Sequence, residues 1–205
     1  MKALLLVDIQ NDFIPGGALP VPEGDAIIPT VNALMPYFDL VVATQDWHPQ
    51  NHGSFASNHI GKNVYEVIDL NGLQQILWPD HCVQGSSGAD FAPGLNMNPV
   101  EAIFRKGTDP SIDSYSGFFD NGRKKSTALA EYLRGRHIRE VYVVGLAAEF
   151  CVHFTILDAA EQGFKTYLIE DGTRALNEAD FRKAKENMRA KGVKIIKSKA
   201  IIDKV

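Results

Sequence analysis

The sequence predicts a three-layer α/β/α fold, in which a doubly wound, mostly parallel sheet of about six strands lies between two layers of helices. Short runs rich in Val, Leu and Ile recur along the chain without alternation of polar and apolar residues. Such runs are expected of parallel strands that are buried on both faces. Amphipathic stretches separate most of the runs, so strand and helix alternate to the end of the chain. This order is typical of right-handed crossovers in an open sheet.

Six apolar runs are the candidate strands, and four amphipathic segments are the candidate helices. In chain order the strands read KALLLVDI, DLVVATQD, EAIFRK, REVYVVGL, KTYLIED and VKIIKS, and the helices cover residues 25–38, 126–134, 150–162 and 178–191. Ser126 is of a residue type that caps the start of a helix. Gly163 and Gly192 follow the third and fourth helical segments, where a left-handed glycine commonly ends a helix.

One region breaks this alternation. Residues 45–101 show little periodicity and contain several Gly, Pro, Asn and His residues, with a single short helical candidate at residues 70–77, LNGLQQIL. A loop region of this length inside a compact domain is usually functional. The chain has no internal repeat and no linker that would divide it. We therefore expect residues 1–205 to form one domain in which the long loop carries part of the functional site.

Composition and charge narrow the class of protein. Hydrophobic residues make up 45% of the chain, charged residues 22%, and the net charge is −4, which is ordinary for a globular protein and unfavourable for binding nucleic acid. The first eight residues, MKALLLVD, reach an aspartate too early for a signal peptide or a membrane span. We expect a cytoplasmic protein with reduced cysteines and no membrane partner. Whether it forms a homo-oligomer stays open.

Reactive side chains follow the predicted strands. Ligands of open α/β sheets bind at the carboxyl ends of the strands, and those ends carry Asp8, Asp46 with His48, Lys106, Cys151 and Asp171. Each residue alone has a plain structural interpretation: an aspartate caps a turn, a lysine is solvated, and a cysteine packs in the core. The fold would gather all of them at one edge of the sheet, and this coincidence indicates a functional site.

The two cysteines differ in their predicted surroundings. His81 and Cys82 are adjacent in WPDHCVQG, so they are a candidate dyad, but nothing local would favour a thiolate at Cys82. Cys151 lies in the GLAAEFC turn between a strand and a helix. Unpaired backbone N–H groups at such a turn would lower the pKa of the thiol and could stabilise an oxyanion. Cys151 is therefore the better candidate nucleophile.

The histidines indicate a metal site. The segment QDWHPQNH supplies Asp46, His48 and His52, and WPDHC adds His81 from the long loop. A carboxylate with two histidines leaves coordination positions open for water or substrate and accepts zinc, iron or manganese. A polar loop whose histidines only cap turns explains the same spacing equally well. The residues alone leave both interpretations open.

Several motifs together resemble one known family. LLLVDIQNDF, GGALPVPEGD, QDWHP, HGSFA, WPDHCVQ, KGTDPSIDSYSGFFDN, GLAAEFCV and IEDGTRAL span nearly the whole chain. They resemble the nicotinamidases, also called pyrazinamidases, of the isochorismatase-like cysteine hydrolases. The resemblance implies the isochorismatase-like hydrolase fold. One departure is Ala148-Glu149, where many members of the family have Thr-Asp.

The resemblance also implies roles for individual residues. The implied catalytic triad is Asp8, Lys106 and Cys151, and the implied metal ligands are Asp46, His48 and His81, with His52 as a further candidate. The backbone amides of Ala147 and Cys151 would form the oxyanion hole, beside a cis peptide bond before Ala147. The walls of the substrate pocket would be Phe13, Trp78 and Tyr115.

The implied activity is metal-dependent hydrolysis of nicotinamide to nicotinate and ammonia through a thioester on Cys151. Pyrazinamide is a further expected substrate, and the implied cellular role is NAD salvage. The implied cofactor is one divalent transition ion, with zinc preferred over iron or manganese. Two alternatives are another cysteine hydrolase of the superfamily, such as a ureide amidohydrolase or an isochorismatase, and a metal-binding or redox-sensing domain that uses Cys82 and Cys151. The QDWHP and WPDHC pair argues against the first alternative.

Overall fold

Six parallel strands form the central sheet of the computed structural model, which describes residues 1–203. In chain order the strands of the protein are β1 (Lys2–Val7), β2 (Leu40–Asp46), β3 (Val67–Leu70), β4 (Leu73–Ile76), β5 (Val100–Lys106), β6 (Glu140–Gly145), β7 (Lys165–Thr173) and β8 (Lys194–Ile196). The sheet has the order β5-β2-β1-β6-β7-β8, and β3 pairs only with β4. The prediction of a parallel sheet of about six strands is confirmed.

The strand order fixes where a ligand can bind. The chain runs outward from β1 through β2 to β5, then returns to β6 on the other side of β1 and continues to β8. Leu5 of β1 pairs with Val42 of β2 and with Val143 of β6, so β1 lies at the centre of the sheet. The strand order reverses between β1 and β6, and in open α/β sheets a crevice forms outside the carboxyl ends of the strands at such a point.

Helices cover both faces of the sheet. They are α1 (Ile28–Leu34), α2 (Leu129–Gly135), α3 (His153–Glu161), α4 (Glu178–Ala190) and α5 (Lys199–Ile202). Buried side chains of α2, α3 and α4 pack with Leu5 and Val143 on one face. Those of α1 and α5 pack with Leu4 and Val144 on the other face. The three layers are therefore as predicted. None of the helices within residues 1–203 is long and apolar enough to cross a membrane.

Two predicted helices begin or end differently. The segment predicted as a helix over residues 25–38 holds only the seven residues of α1, between short 3-10 turns. Pro29 and Pro36 lie in this segment, and proline is tolerated in the first turn of a helix but not in its interior. The second predicted helix begins at Leu129 rather than Ser126. Ser126 Oγ instead accepts a hydrogen bond from the Ala128 N–H in the turn before the helix.

The predicted helix at residues 70–77 is wrong. This stretch is the turn and second strand of a β-hairpin, in which Leu70 pairs with Leu73 and Val67 pairs with Ile76. Asn71 and Gly72 form its two-residue connection, with φ angles of 54° and 87°. Asn-Gly suits the left-handed backbone of such a turn and is a strong hairpin signal. The turn chemistry therefore outweighs the apolar spacing that suggested a helix.

Candidate active site

Asp8, Lys106 and Cys151 meet in the crevice between β1 and β6. Asp8 follows β1, Lys106 ends β5, and Cys151 lies in a π-helical turn, Ala148–Val152, that connects β6 to α3. Lys106 Nζ lies 3.0 Å from Asp8 Oδ2 and 3.4 Å from Cys151 Sγ. All three residues are buried. The structure thus brings together the three residues for which the resemblance implies catalysis.

Lys106 carries a buried positive charge. Its Nζ also lies 3.1 Å from Asp46 Oδ1 and donates a hydrogen bond of 2.8 Å to the Ser114 carbonyl. Burial alone would lower the pKa of Lys106, but the Asp46 and Asp8 carboxylates raise it well above its usual value. The ammonium therefore stays charged at neutral pH, where it stabilises any negative charge on its neighbours.

Burial has the largest effect on the pKa values of Asp8 and Cys151. It raises the pKa of the Asp8 carboxyl and raises that of the Cys151 thiol well above its usual value, although Lys106 opposes both shifts. The expectation of a lowered thiol pKa is therefore wrong, because desolvation, together with the Asp8 and Asp46 charges, outweighs the effect of Lys106. Thr44 Oγ1 donates to Asp8 Oδ1 at 2.7 Å, while Asp8 Oδ2 faces the Lys106 ammonium at 3.0 Å. The ionised carboxylate can take a proton from a neighbouring thiol.

A second buried group lies beside this cluster. Asp46 Oδ2 lies 3.1 Å from His48 Nε2 and 3.5 Å from His81 Nε2. One donor atom from each of these three residues lies within 4.8 Å of the others. Burial would raise the pKa of Asp46, but His48 and Lys106 outweigh it and hold this pKa well below its usual value. Asp46 is therefore ionised and faces both the histidines and the Lys106 ammonium.

The other ring nitrogens define how the two histidines face Asp46. The Nδ1 atom of His48 lies 2.9 Å from the Gly107 carbonyl, and that of His81 lies 2.7 Å from the Pro79 carbonyl. A carbonyl accepts only from a protonated nitrogen, so in the neutral rings Nδ1 carries the proton and Nε2 keeps its lone pair. The donor set of one carboxylate oxygen and two imidazole nitrogens therefore fits a divalent transition ion.

His52 lies next to this group but is held differently. Its ring centroid is 4.3 Å from that of His48. The Ser54 N–H donates to His52 Nδ1 at 3.2 Å, and His52 Nε2 has no hydrogen-bond partner within residues 1–203. Burial and the neighbouring His48 lower the pKa of His52 to about 4. His52 is therefore neutral at pH 7, and because Nδ1 accepts a hydrogen bond, the proton lies on Nε2.

A narrow pocket joins the two groups and opens toward the surface. Its lining consists of Phe13, Leu19, Asp46, Trp78, His81, Asp113, Tyr115, Ala147, Phe150, Cys151 and Leu176. Trp78 Nε1 donates to the Tyr115 hydroxyl at 3.2 Å, which fixes two of the aromatic walls relative to each other. The pocket therefore has aromatic walls and gives access to the Cys151 thiol and to the Asp46 and His81 side chains.

Sequence reasoning found the three aromatic walls but missed Leu19, Asp113, Phe150 and Leu176. Phe150 directly precedes Cys151, so its place beside the motif was a usable signal. Leu176 lies in the segment after β7, and only the tertiary fold brings it to the pocket. The peptide bond between Leu146 and Ala147 is cis, as the resemblance implies.

Two residues near strand ends or motifs lie outside the pocket. Asp171 accepts hydrogen bonds from the N–H and hydroxyl of Ser198, so it holds the connection between β8 and α5 rather than a ligand. Cys82 is buried in an apolar cluster, and burial raises its pKa well above its usual value. Both ring nitrogens of His81 contact other groups, Asp46 and the Pro79 carbonyl. His81 and Cys82 therefore do not form a dyad.

Known proteins match the chain over nearly its full length. The isochorismatase domain family matches residues 2–200. The nicotinamidase of Escherichia coli K12 is 52% identical over 180 residues, which cover 86% of this chain and 84% of the relative. The structure of an Acinetobacter baumanii nicotinamidase and pyrazinamidase has a TM-score of 0.95 and 48% identity, and 97% of each chain is covered.

A further solved structure is that of a pyrazinamidase from Pyrococcus horikoshii in complex with zinc. It has a TM-score of 0.79 and 42% identity, with 96% of this chain and 98% of that chain covered. Identity and coverage at these levels extend over the whole sheet and the crevice. The chain belongs to the isochorismatase family and, within it, to the nicotinamidases and pyrazinamidases.

Proposed function

We propose that this protein hydrolyses nicotinamide to nicotinate and ammonia and also acts on pyrazinamide. One observation carries the proposal: the Lys106 ammonium contacts the Asp8 carboxylate, the Cys151 thiol and the Asp46 carboxylate at one end of an aromatic pocket. A nucleophile, a base and a ring-binding group are thereby set at fixed distances. The names and activities of the relatives from Escherichia coli and Acinetobacter baumanii support the same substrate class.

The first half of the reaction uses Asp8 as base and then as acid. Cys151 Sγ attacks the carboxamide carbon while its proton passes to the Asp8 carboxylate, which the Lys106 ammonium holds at 3.0 Å. The backbone amides of Ala147 and Cys151 stabilise the tetrahedral oxyanion. Asp8 then returns the proton to the amide nitrogen. The C–N bond breaks, ammonia leaves, and a thioester remains on Cys151.

The second half releases the acid product. Asp8 takes a proton from water, whose oxygen attacks the thioester carbonyl, and the tetrahedral intermediate collapses to nicotinate as the C–S bond breaks. The proton on Asp8 returns to the sulfur, which restores the thiol. Lys106 stays charged throughout because both carboxylates raise its pKa. Its charge stabilises the thiolate as it forms, which offsets the burial that raises the pKa of Cys151.

Asp46, His48 and His81 hold one divalent transition ion in this proposal. When bound there, the ion would act as a Lewis acid toward the ring nitrogen of the substrate. Zinc is preferred because the donor set suits it and the Pyrococcus horikoshii relative is described with zinc, while iron and manganese accept the same donors. His52 remains a further candidate ligand, because His48, His52 and Asp113 also offer donor atoms within 4.8 Å of one another, although its Nε2 carries the proton while Nδ1 accepts from the Ser54 N–H.

Orientation of the ring accounts for the substrate preference. Phe13, Trp78 and Tyr115 enclose the ring, and the carboxamide then faces Cys151. Holding a reactant in a reactive geometry can contribute several kcal/mol to catalysis, on the order of 7 to 11 kcal/mol in the most favourable cases. The whole chain acts as one catalytic domain in this proposal. Its product, nicotinate, enters NAD salvage.

A product assay with a matched substrate tests the proposal. Purified protein is incubated with nicotinamide, pyrazinamide or benzamide, and both ammonia and the carboxylic acid are measured. Nicotinamide and pyrazinamide should be hydrolysed, whereas benzamide, which lacks the ring nitrogen, should be a poor substrate. Failure to release ammonia from nicotinamide would overturn the proposed function. Equal rates with benzamide would overturn the role of the ring nitrogen.

A further inference from the structure

Glu149 is a buried carboxylic acid that the proposed reaction does not use. It lies in the turn Ala148–Val152, two positions before Cys151, and only 6% of its surface is exposed. Burial raises the pKa of Glu149, and the like charge of Asp180 adds to this shift. No cation of the described chain pairs with it. A buried acid without a cation needs hydrogen-bond donors, so its partners indicate its role.

The partners of Glu149 are two backbone amides of one segment. Glu149 Oε1 accepts from the Asn177 N–H at 2.6 Å, and Oε2 accepts from the Leu176 N–H at 3.2 Å. The neighbouring Ala148 N–H donates to the Arg174 carbonyl at 2.9 Å. Three hydrogen bonds therefore join the turn that carries the nucleophile to residues 174–177.

The same carboxylate lies at the start of α4. Asn177 caps this helix, because its Oδ1 accepts from the N–H groups of Ala179 and Asp180. The carboxylate of Glu149 therefore faces the amino-terminal end of a 13-residue helix, where the backbone dipoles favour a negative charge. α4 provides a rigid support, and Glu149 fixes the nucleophile turn against it.

The segment that Glu149 holds also forms part of the pocket. Leu176 lines the ring pocket together with Ala147, Phe150 and Cys151. The backbone N–H of Leu176 is one of the two groups that Glu149 binds. The distance between this apolar wall and the Cys151 sulfur therefore depends on the Glu149 carboxylate.

We infer that Glu149 is a positioning residue that sets Leu176 against the aromatic ring of the substrate, at a fixed distance from Cys151. The inference rests on the proposed hydrolysis of nicotinamide and goes beyond it, because it assigns ring binding to a side chain that touches neither the ring nor the reacting atoms. Glu149 acts through Leu176. Its loss impairs substrate binding more than the chemical step.

The choice of substitution follows from the two accepting oxygens. Glu149→Gln keeps the shape but replaces one oxygen with an NH2 group, which opposes a backbone N–H and leaves one amide unpaired. Glu149→Asp keeps both oxygens on a shorter side chain. Glu178→Gln is the matched control, because Glu178 is an exposed residue in the first turn of α4 and carries the same charge.

Steady-state kinetics with nicotinamide on the metal-loaded protein tests the inference. We expect Glu149→Gln to raise KM by roughly three- to tenfold, the effect of one lost hydrogen bond, with a smaller change in kcat. Glu149→Asp should recover part of this loss, and Glu178→Gln should behave as the unchanged protein does. Leu176→Ala should also raise KM, and Glu149→Gln should add little further effect in that background.

Amide hydrogen exchange gives a second readout that does not depend on turnover. Leu176 and Asn177 should exchange faster in Glu149→Gln than in Glu178→Gln, while the amides of β1 stay protected in both. Unchanged KM in Leu176→Ala, additive effects in the double variant, or unchanged exchange at these two amides would each overturn the inference. If the unsubstituted protein does not hydrolyse nicotinamide, the proposed function fails and the inference fails with it. If the unsubstituted protein hydrolyses nicotinamide but the variants do not show the expected KM values and exchange rates, only the inference about Glu149 fails.

Discussion

The surroundings of the two cysteines differ in two respects that bear on their chemistry. Both thiols are buried, burial raises the pKa of both, and both lie in the field of Asp8 and Asp46. Lys106 Nζ lies 3.4 Å from the Cys151 sulfur, and Cys151 lines the ring pocket. Cys82 instead packs in an apolar cluster, and its backbone N–H donates to Asp12 Oδ2 at 2.7 Å.

This difference shows what a nucleophilic thiol needs in this fold. Adjacency to a histidine in sequence gives Cys82 no partner, because the ring nitrogens of His81 contact Asp46 and the Pro79 carbonyl. Burial raises the pKa of Cys151 although the residue lies in the turn before α3. The distinguishing features of Cys151 are the contact of its sulfur with the Lys106 ammonium and its place in the lining of the ring pocket. Each of the following predictions removes one feature of this comparison.

Replacing the nucleophile should have the largest effect. Cys151→Ala should lower kcat for nicotinamide on the order of 10⁴-fold or more, because no other group can form the thioester. The measurement is ammonia release under saturating substrate, with a melting curve to verify the fold. If Cys151→Ala kept even a tenth of the activity, Cys151 would not be the nucleophile, and its contrast with Cys82 would not explain the reaction.

Removing the cation should destabilise the protein as well as inactivate it. Lys106→Met leaves the buried carboxylates of Asp8 and Asp46 without their shared partner. Breaking a buried ion pair in this way costs about 3 to 5 kcal/mol of unfolding free energy. Urea unfolding measures this change. The control is Lys165→Met, whose partner Glu140 forms an exposed pair, and which should cost less than about 1 kcal/mol. Equal losses in the two variants would mean that the Lys106 charge is unimportant.

Replacing His81, the neighbour of Cys82 in the sequence, should have a larger effect than replacing Cys82 itself. His81→Ala removes one of three metal donors and should weaken zinc binding by about 100-fold or more. Competition with a chromophoric chelator measures the affinity directly. His137→Asn is the control, because His137 is exposed, has a φ of 57°, and lies in none of the candidate donor groups.

A chelator should also abolish turnover of the unsubstituted protein, and added zinc should restore it. Full turnover without metal would contradict the ligand assignment.

Cys82→Ala should have the smallest effect. It leaves the pocket lining intact, so kcat and KM should stay within about twofold of the unsubstituted protein. The lost sulfur leaves a small cavity, so we expect an unfolding free energy lower by about 1 kcal/mol. Kinetics and urea unfolding on the same preparation check both numbers. A large loss of kcat with an intact fold would give Cys82 a chemical role.

The sequence predicted those features that depend on local pattern. The six predicted runs correspond to the six sheet strands. Central strands such as β1 and β2 are buried on both faces and are therefore mostly apolar, whereas the edge strand β5 alternates between exposed and partly buried residues. The carboxyl ends of those strands then identified Asp8, Lys106 and Cys151 as neighbours, because one edge of one sheet collects them. Two short motifs indicated the candidate metal donors Asp46, His48 and His81, and the resemblance to the family selected this set.

Other features depend on tertiary structure and had no local signal. Leu176 ends the IEDGTRAL motif, but nothing in that motif shows that it reaches the pocket or that its backbone N–H donates to Glu149. The direction of the Cys151 pKa shift depends on how deeply the fold buries the sulfur. The hairpin at Asn71 and Gly72, in contrast, had a local signal. The Asn-Gly pair indicates a tight turn, but the apolar spacing around it was taken as evidence for a helix.

Peptide mapping of acid-quenched enzyme tests the central claim most directly, because it asks which sulfur forms the thioester. The protein is mixed with saturating nicotinamide, quenched during turnover, digested at low pH and examined by mass spectrometry. We predict a nicotinoyl group on the peptide that contains Cys151 and none on the peptide that contains Cys82. A nicotinoyl group on Cys82, or steady turnover with no acyl group on either cysteine, would contradict the account.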